Sequence, residues 1–102
     1  MTDPQDAINA VRDVAAGSAV LLDVRRDDEW DSVRAEGATH WPLARLEAGE
    51  MPDMPPETKI YVHCAAGTRA AKAAEILIAH GFADVTNIGG LQDWQRAGGD
   101  IE

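Results

Sequence analysis

Apolar residues recur along this chain in two rhythms, one with helical spacing and one unbroken. In "TDPQDAINAVRDVAAG", Asp3 is placed as an N-cap and Pro4 as a first helical residue. Ala7, Ile8, Val11, Val14 and Ala15 then form an inward stripe that Gly17 ends. "SAVLLDVR" is a short continuous apolar run rich in branched residues, the pattern of a strand covered on both faces. "DDEWDSVRAEG" predicts a short polar helix with Trp30 and Val33 turned inward. "ATHWPLARLEAGEMPDMPPETK" begins with a brief strand and then becomes irregular. Pro52, Pro55 and Pro56 mark "MPDMPPET" as a surface loop, because proline cannot donate to regular pairing. "KIYVHC" is a second strong strand. Ala70, Ala74, Leu77 and Ile78 make the apolar stripe of the next helix, closed by Gly81. "ADVTNIGG" and "LQDWQRAGG" predict a further strand and a last short helix.

Strands that alternate with helices imply an α/β fold, a mostly parallel sheet of four to five strands with helices on both faces. Such sheets bind ligands beyond the carboxyl ends of their strands. Cys64 stands at one such end.

Composition narrows the setting. A chain of 102 residues with 45% hydrophobic content is expected to fold as one globular domain, residues 1–102. One cysteine cannot make an internal disulfide, so no oxidising compartment is needed. The start "MTDPQDAINAVR" has neither the basic nor the apolar segment of a signal peptide. No apolar run approaches the roughly 20 residues of a membrane span. A cytoplasmic monomer without a membrane partner is the expectation. A net charge of −9 argues against nucleic acid, whose phosphates require a basic footprint.

The stretch "YVHCAAGTRAAKAAEILIAHG" carries the candidate chemistry. A cysteine between strand and helix meets free backbone N–H groups and a helix dipole, and both favour the thiolate. Ala65, Ala66 and Gly67 are small enough for the backbone to curl around the sulfur. Gly67 can adopt a left-handed conformation that turns N–H groups inward. Arg69 adds a permanent charge and a planar donor fork suited to an oxyanion. Together these residues describe a nucleophile within an anion cradle. The competing reading of a lone cysteine that ends a buried strand is a small hydrophobe.

"CAAGTR", between a strand and a helix, resembles the active-site loop of rhodanese-like sulfurtransferases. Other segments match the family in order: "LLDVRRDDEW" with Asp23, Arg25, Glu29 and Trp30; "EGATHWPL" with Gly37, Ala38, Pro42 and Leu43; "GFADVTNIGGLQDW" with Gly89, Gly90 and Trp94. The similarity runs from about residue 5 to residue 98. Two positions depart from the family pattern: Arg34 stands where a histidine is usual, and Ala70 where a serine often follows the loop arginine. The family's first short strand is also absent or reduced to a stub.

The resemblance implies a rhodanese-like three-layer fold and a two-step reaction. Cys64 would take the outer sulfur of a donor such as thiosulfate, becoming a persulfide. A thiol, cyanide or a sulfur-relay protein would then accept that sulfur. Ala65, Ala66, Gly67, Thr68 and Arg69 would bind and orient the donor, with no metal or organic cofactor. Related phosphatases place five residues between cysteine and arginine; this chain has four, Ala65 to Thr68. A cysteine-dependent phosphatase or arsenate reductase is therefore the weaker enzymatic alternative. A non-catalytic sulfur carrier or regulatory binding module is the alternative of a different class.

Other conspicuous residues have plainer readings. His63 follows strand alternation away from Cys64 and is expected to pack or hydrogen-bond internally. His80 complements a helix C-terminus. His40 and Trp41 either line the site or pack beside it. Asp23 and Arg25 suggest an ion-pair network that includes Glu29, and Gly89–Gly90 a close turn. Trp30 and Trp94 are expected in the core. Scattered histidines with one cysteine lack zinc-ligand spacing.

Overall fold

A computed structural model describes residues 2–102. Helix α1 (Pro4–Ala15) leads into β1 (Val20–Asp23), α2 (Asp27–Ser32) and β2 (Thr39–His40). There follow α3 (Leu43–Glu47), β3 (Lys59–Cys64), α4 (Thr68–Ala79), β4 (Asp84–Gly90) and α5 (Leu91–Arg96). The four strands form one parallel sheet in the order β2-β1-β3-β4. Asp3 caps α1 by accepting from the Gln5 amide at 2.9 Å, and Gly17 leaves the helix with φ +74°.

Alternation along β3 sorts two cores. Ile60, Val62 and Cys64 face α3 and α4, packing with Leu22, Leu46, Ala70, Ala73 and Leu77. Tyr61 faces the other way, with Leu21 and Ile88, against Ala7 and Ala10 of α1 and Trp94 of α5. Helices therefore cover both faces of the sheet, and this double cover explains the unbroken apolar runs in β1 and β3. Burying each large aliphatic side chain contributes about 1.5–3 kcal/mol.

Several inward assignments change. Ile8 and Ile78 are 47% and 56% exposed, whereas Ala10 and Ala73 are fully buried. Each helix sits so close to the sheet that alanines occupy its contact line, and the bulkier isoleucines fall outside it. Trp30 and Val33 are half-buried rather than core. The segment expected to be irregular contains α3, whose Leu46 is buried. A further pairing joins Ala35 to Ile101 in antiparallel fashion.

At the lower edge of the α1 face, the carboxylate of Asp13 accepts from the Tyr61 hydroxyl at 2.6 Å and from Lys59 Nζ at 2.9 Å. These contacts, the tyrosine first, hold Asp13 below the ordinary carboxylate range. Among the described residues, no helix is long and apolar enough to cross a membrane.

Candidate active site

The carboxyl end of β3 delivers Cys64 into a turn that becomes α4 four residues later. The thiol is 1% exposed, and the Gly67 amide donates to its sulfur at 2.9 Å. That bond requires Gly67 to be left-handed, with φ 100° and ψ −18°, a conformation that costs a side-chain-bearing residue about 1–2 kcal/mol. Ala65, Ala66 and Thr68 are exposed around this buried sulfur. The first-turn amides of α4 have no acceptor within the helix, so the positive end of its dipole faces the loop.

Strand β4 holds the loop from behind. Val62 pairs with Asn87 but His63 with Gly89, leaving Ile88 as an extra residue on β4. This bulge brings two glycines beneath the loop. A Cβ at Gly90 would overlap the Ala65 carbonyl oxygen and lie 2.7 Å from its carbon. Asn87 completes the support: its Nδ2 donates to the Gly67 carbonyl at 3.1 Å, and its Oδ1 accepts from the Gly89 amide at 2.8 Å. Nothing in the local pattern around Asn87 marks it as a loop support, because the bulge that aims it is a tertiary feature.

Arg69 faces α2. Its Nη1 and Nη2 donate to Glu29 Oε1 and Oε2 at 2.6 and 3.0 Å. The Arg69 hydrogen bonds, helped by the Arg26 amide at 3.1 Å, hold Glu29 at about 2, well below its ordinary value. Glu29 therefore belongs to the loop arginine and not to an Asp23–Arg25 network. Asp23 and Arg25 form their own buried pair, with Arg25 Nη2 donating to Asp23 Oδ2 at 2.7 Å and to the Val33 carbonyl at 2.7 Å. This pair anchors the β1–α2 connection that leads into the helix carrying Glu29.

The histidines resolve into packing roles. His63 is fully buried on the face opposite Cys64, and burial pushes it below its ordinary imidazole value. Its Nδ1 lies 3.2 Å from the Cys64 carbonyl, which can only accept, so Nδ1 carries the proton. Nε2 is 3.6 Å from Asp23 Oδ2 without a hydrogen-bond partner among the described residues. His40 stacks on Trp30 at 4.7 Å, with Nε2 2.9 Å from the Arg25 carbonyl. His80 places Nδ1 2.8 Å from the Ile76 carbonyl at the end of α4. A surface depression of about 320 Å³ lies between α1, Trp94 and Gly98–Asp100 and includes none of the loop residues. A smaller one, about 240 Å³, is lined by Ala66, Gly67, Thr68, Ala71 and Asn87 on the outer side of the loop.

The profile of the rhodanese-like domain family matches residues 5–97. The chain belongs to the rhodanese-like domain family. Its relatives include the thiosulfate sulfurtransferase GlpE of Actinobacillus succinogenes, 37% identical over 87 residues that span 83% of this chain and 77% of GlpE. MoeZ of Mycobacterium tuberculosis, named for adenylyltransferase and sulfurtransferase activities, is 32% identical over 78 residues. That match covers 74% of this chain but only 20% of MoeZ, so the chain spans about a fifth of that relative. Among solved structures, the Alr3790 protein from Anabaena aligns with a TM-score of 0.83 at 26% identity, covering 94% of this chain and 88% of that one. The rhodanese-like family and fold are thus shown, and Cys64, Gly67 and Arg69 of the matched segments lie together where β3 passes into α4.

Proposed function

We propose that this rhodanese-like domain moves sulfane sulfur through a persulfide on Cys64. The observation that carries the reading is the 2.9 Å hydrogen bond from the left-handed Gly67 to the Cys64 sulfur, at the start of a twelve-residue helix. This is an environment for a sulfur anion. In the first half-reaction, the Cys64 thiolate attacks the outer sulfur of a donor such as thiosulfate. The S–S bond of the donor breaks, sulfite leaves with its electron pair, and Cys64–S–S⁻ remains. In the second, a thiol, cyanide or a relay protein attacks the outer sulfur and regenerates the thiolate. Ala65, Ala66, Gly67 and Thr68 supply the backbone of the cradle, while Arg69 orients the incoming donor.

The relay reading draws on MoeZ, in which a match to this chain occupies a fifth of a larger protein. A phosphatase reading is less well served, because four residues between Cys64 and Arg69 make a smaller ring than five. A single free thiol suits a reducing, cytoplasmic setting.

The test is intact mass after incubating reduced protein with thiosulfate, with Cys64→Ser in parallel. Gain of one reductant-labile sulfur atom in the wild type alone is expected. A folded wild type that gains no sulfur from thiosulfate or from a small-molecule persulfide would overturn the proposal.

A further inference from the structure

Arg69 is the only cation in the Cys64–Arg69 loop, and one carboxylate takes both of its terminal nitrogens. The side chains of this pair are only 28% and 19% exposed, so solvent screens it incompletely. Glu29 is also tied to its own helix through the Arg26 amide, which keeps it in place. The exposed Arg26 guanidinium lies 3.1 Å from Asp28 and 3.8 Å from Glu29, and Asp27 and Asp31 add exposed negative charge to the same helix. Ala65 and Ala66 contribute no charge. The remaining N–H groups of Arg69 can still orient an oxygen, but its positive charge is already cancelled.

From this arrangement we infer that Glu29 determines the donor's charge, selecting sulfane donors with at most one negative charge over the thiosulfate dianion. The substrate class is then organic persulfides and thiosulfonates. This inference rests on the persulfide reading of Cys64. The step balances as Cys64–S⁻ plus R–S–SH giving Cys64–S–SH plus R–S⁻: one sulfur–sulfur bond forms, one breaks, and the thiolate leaves with the electron pair. No outside oxidant or reductant takes part.

Two probes separate charge from chemistry. Thiosulfate and methanethiosulfonate carry the same sulfane sulfur on a sulfonyl group, but a methyl in the second replaces one anionic oxygen. Sulfur loading of Cys64 is timed with each, in the wild type and in Glu29→Gln, which retains groups able to meet Arg69 while losing the charge. The expected result is a rise of about ten-fold in the thiosulfate-to-methanethiosulfonate rate ratio on removing the charge. Glu29→Asp should keep the wild-type ratio. A ratio unchanged in Glu29→Gln would overturn the inference, even if both absolute rates fall, because a merely structural Glu29 would slow both donors alike. Raising ionic strength on the wild type gives a second reading that needs no variant. The ratio should rise with salt, and a flat or falling ratio would count against charge selection. Loading from neither probe would overturn the inference, and a small-molecule persulfide that also fails to load Cys64 would defeat the persulfide reading itself.

Discussion

Adding one methyl group at Gly90 tests whether the β4 backbone fixes the shape of the cysteine loop. The backbone there has φ −110° and ψ 176°, which alanine adopts without strain, so any effect must come from contact. The new Cβ would overlap the Ala65 carbonyl oxygen, lie 2.7 Å from its carbon and sit 3.2 Å from the Ala66 nitrogen. Every one of these atoms is main chain, so no side chain can swing away. Either β4 backs off, straining the His63–Gly89 and Cys64–Gly90 register, or the loop lifts. Overpacking of this kind costs about 1–3 kcal/mol. A shift of roughly 1 Å in reacting groups can slow a reaction by about 10²-fold. Gly90→Ala should therefore lose about 1–3 kcal/mol in urea denaturation. It should also take up sulfur from a donor at least about ten-fold more slowly than the wild type. A wild-type urea midpoint together with wild-type uptake would refute the argument, since it would mean that the loop does not lean on Gly90.

Two further predictions concern charge. Asp23→Asn should destabilise the fold by about 3–5 kcal/mol, because it leaves Arg25, 5% exposed, without its buried counter-ion. Asp28→Asn, which breaks an ion pair about 70% exposed on both sides, should change stability by less than about 0.5 kcal/mol in the same urea titration. Stability should also fall in acid. Glu29 is held at about 2 when folded against an ordinary 4.5, so its contribution is complete above 4.5 and disappears as pH falls toward 2. That amounts to about 2–3 kcal/mol, and Asp13 acts in the same direction. Urea midpoints measured from pH 7 to pH 2 should show this decline, and Glu29→Gln should flatten it; an unaltered slope in that variant would contradict the assignment.

The order of helices and strands was legible because β1 and β3 are covered on both faces and therefore read as unbroken apolar runs. Cys64, Gly67 and Arg69 were legible because they lie within six residues at a strand-to-helix junction. Other features depended on distance. Glu29 and Arg69 are 40 positions apart, and nothing in either local pattern says which partner each takes. Periodicity placed Ile8 and Ile78 inward because hydrophobic weight favoured them, whereas the close approach of helix to sheet favoured Ala10 and Ala73. Helix α3 is five residues long behind a proline, too short to establish a rhythm. The β4 bulge left no local trace beyond its glycines, so the support that Asn87 and Gly90 give the loop emerged only in three dimensions.

The loop and its immediate supports come from one continuous stretch of chain. Residues 59–90 contain Cys64, the Gly67 turn, Asn87, Gly89 beside that turn and Gly90 against Ala65. The carboxylate opposite Arg69 comes from α2, encoded well upstream. A gene cut between α3 and β3 would therefore separate the sulfur cradle from the element that neutralises it. Chimeras joined at that loop could exchange one without rewriting the other, so descent by recombination could retain the nucleophile while trying different electrostatic surroundings.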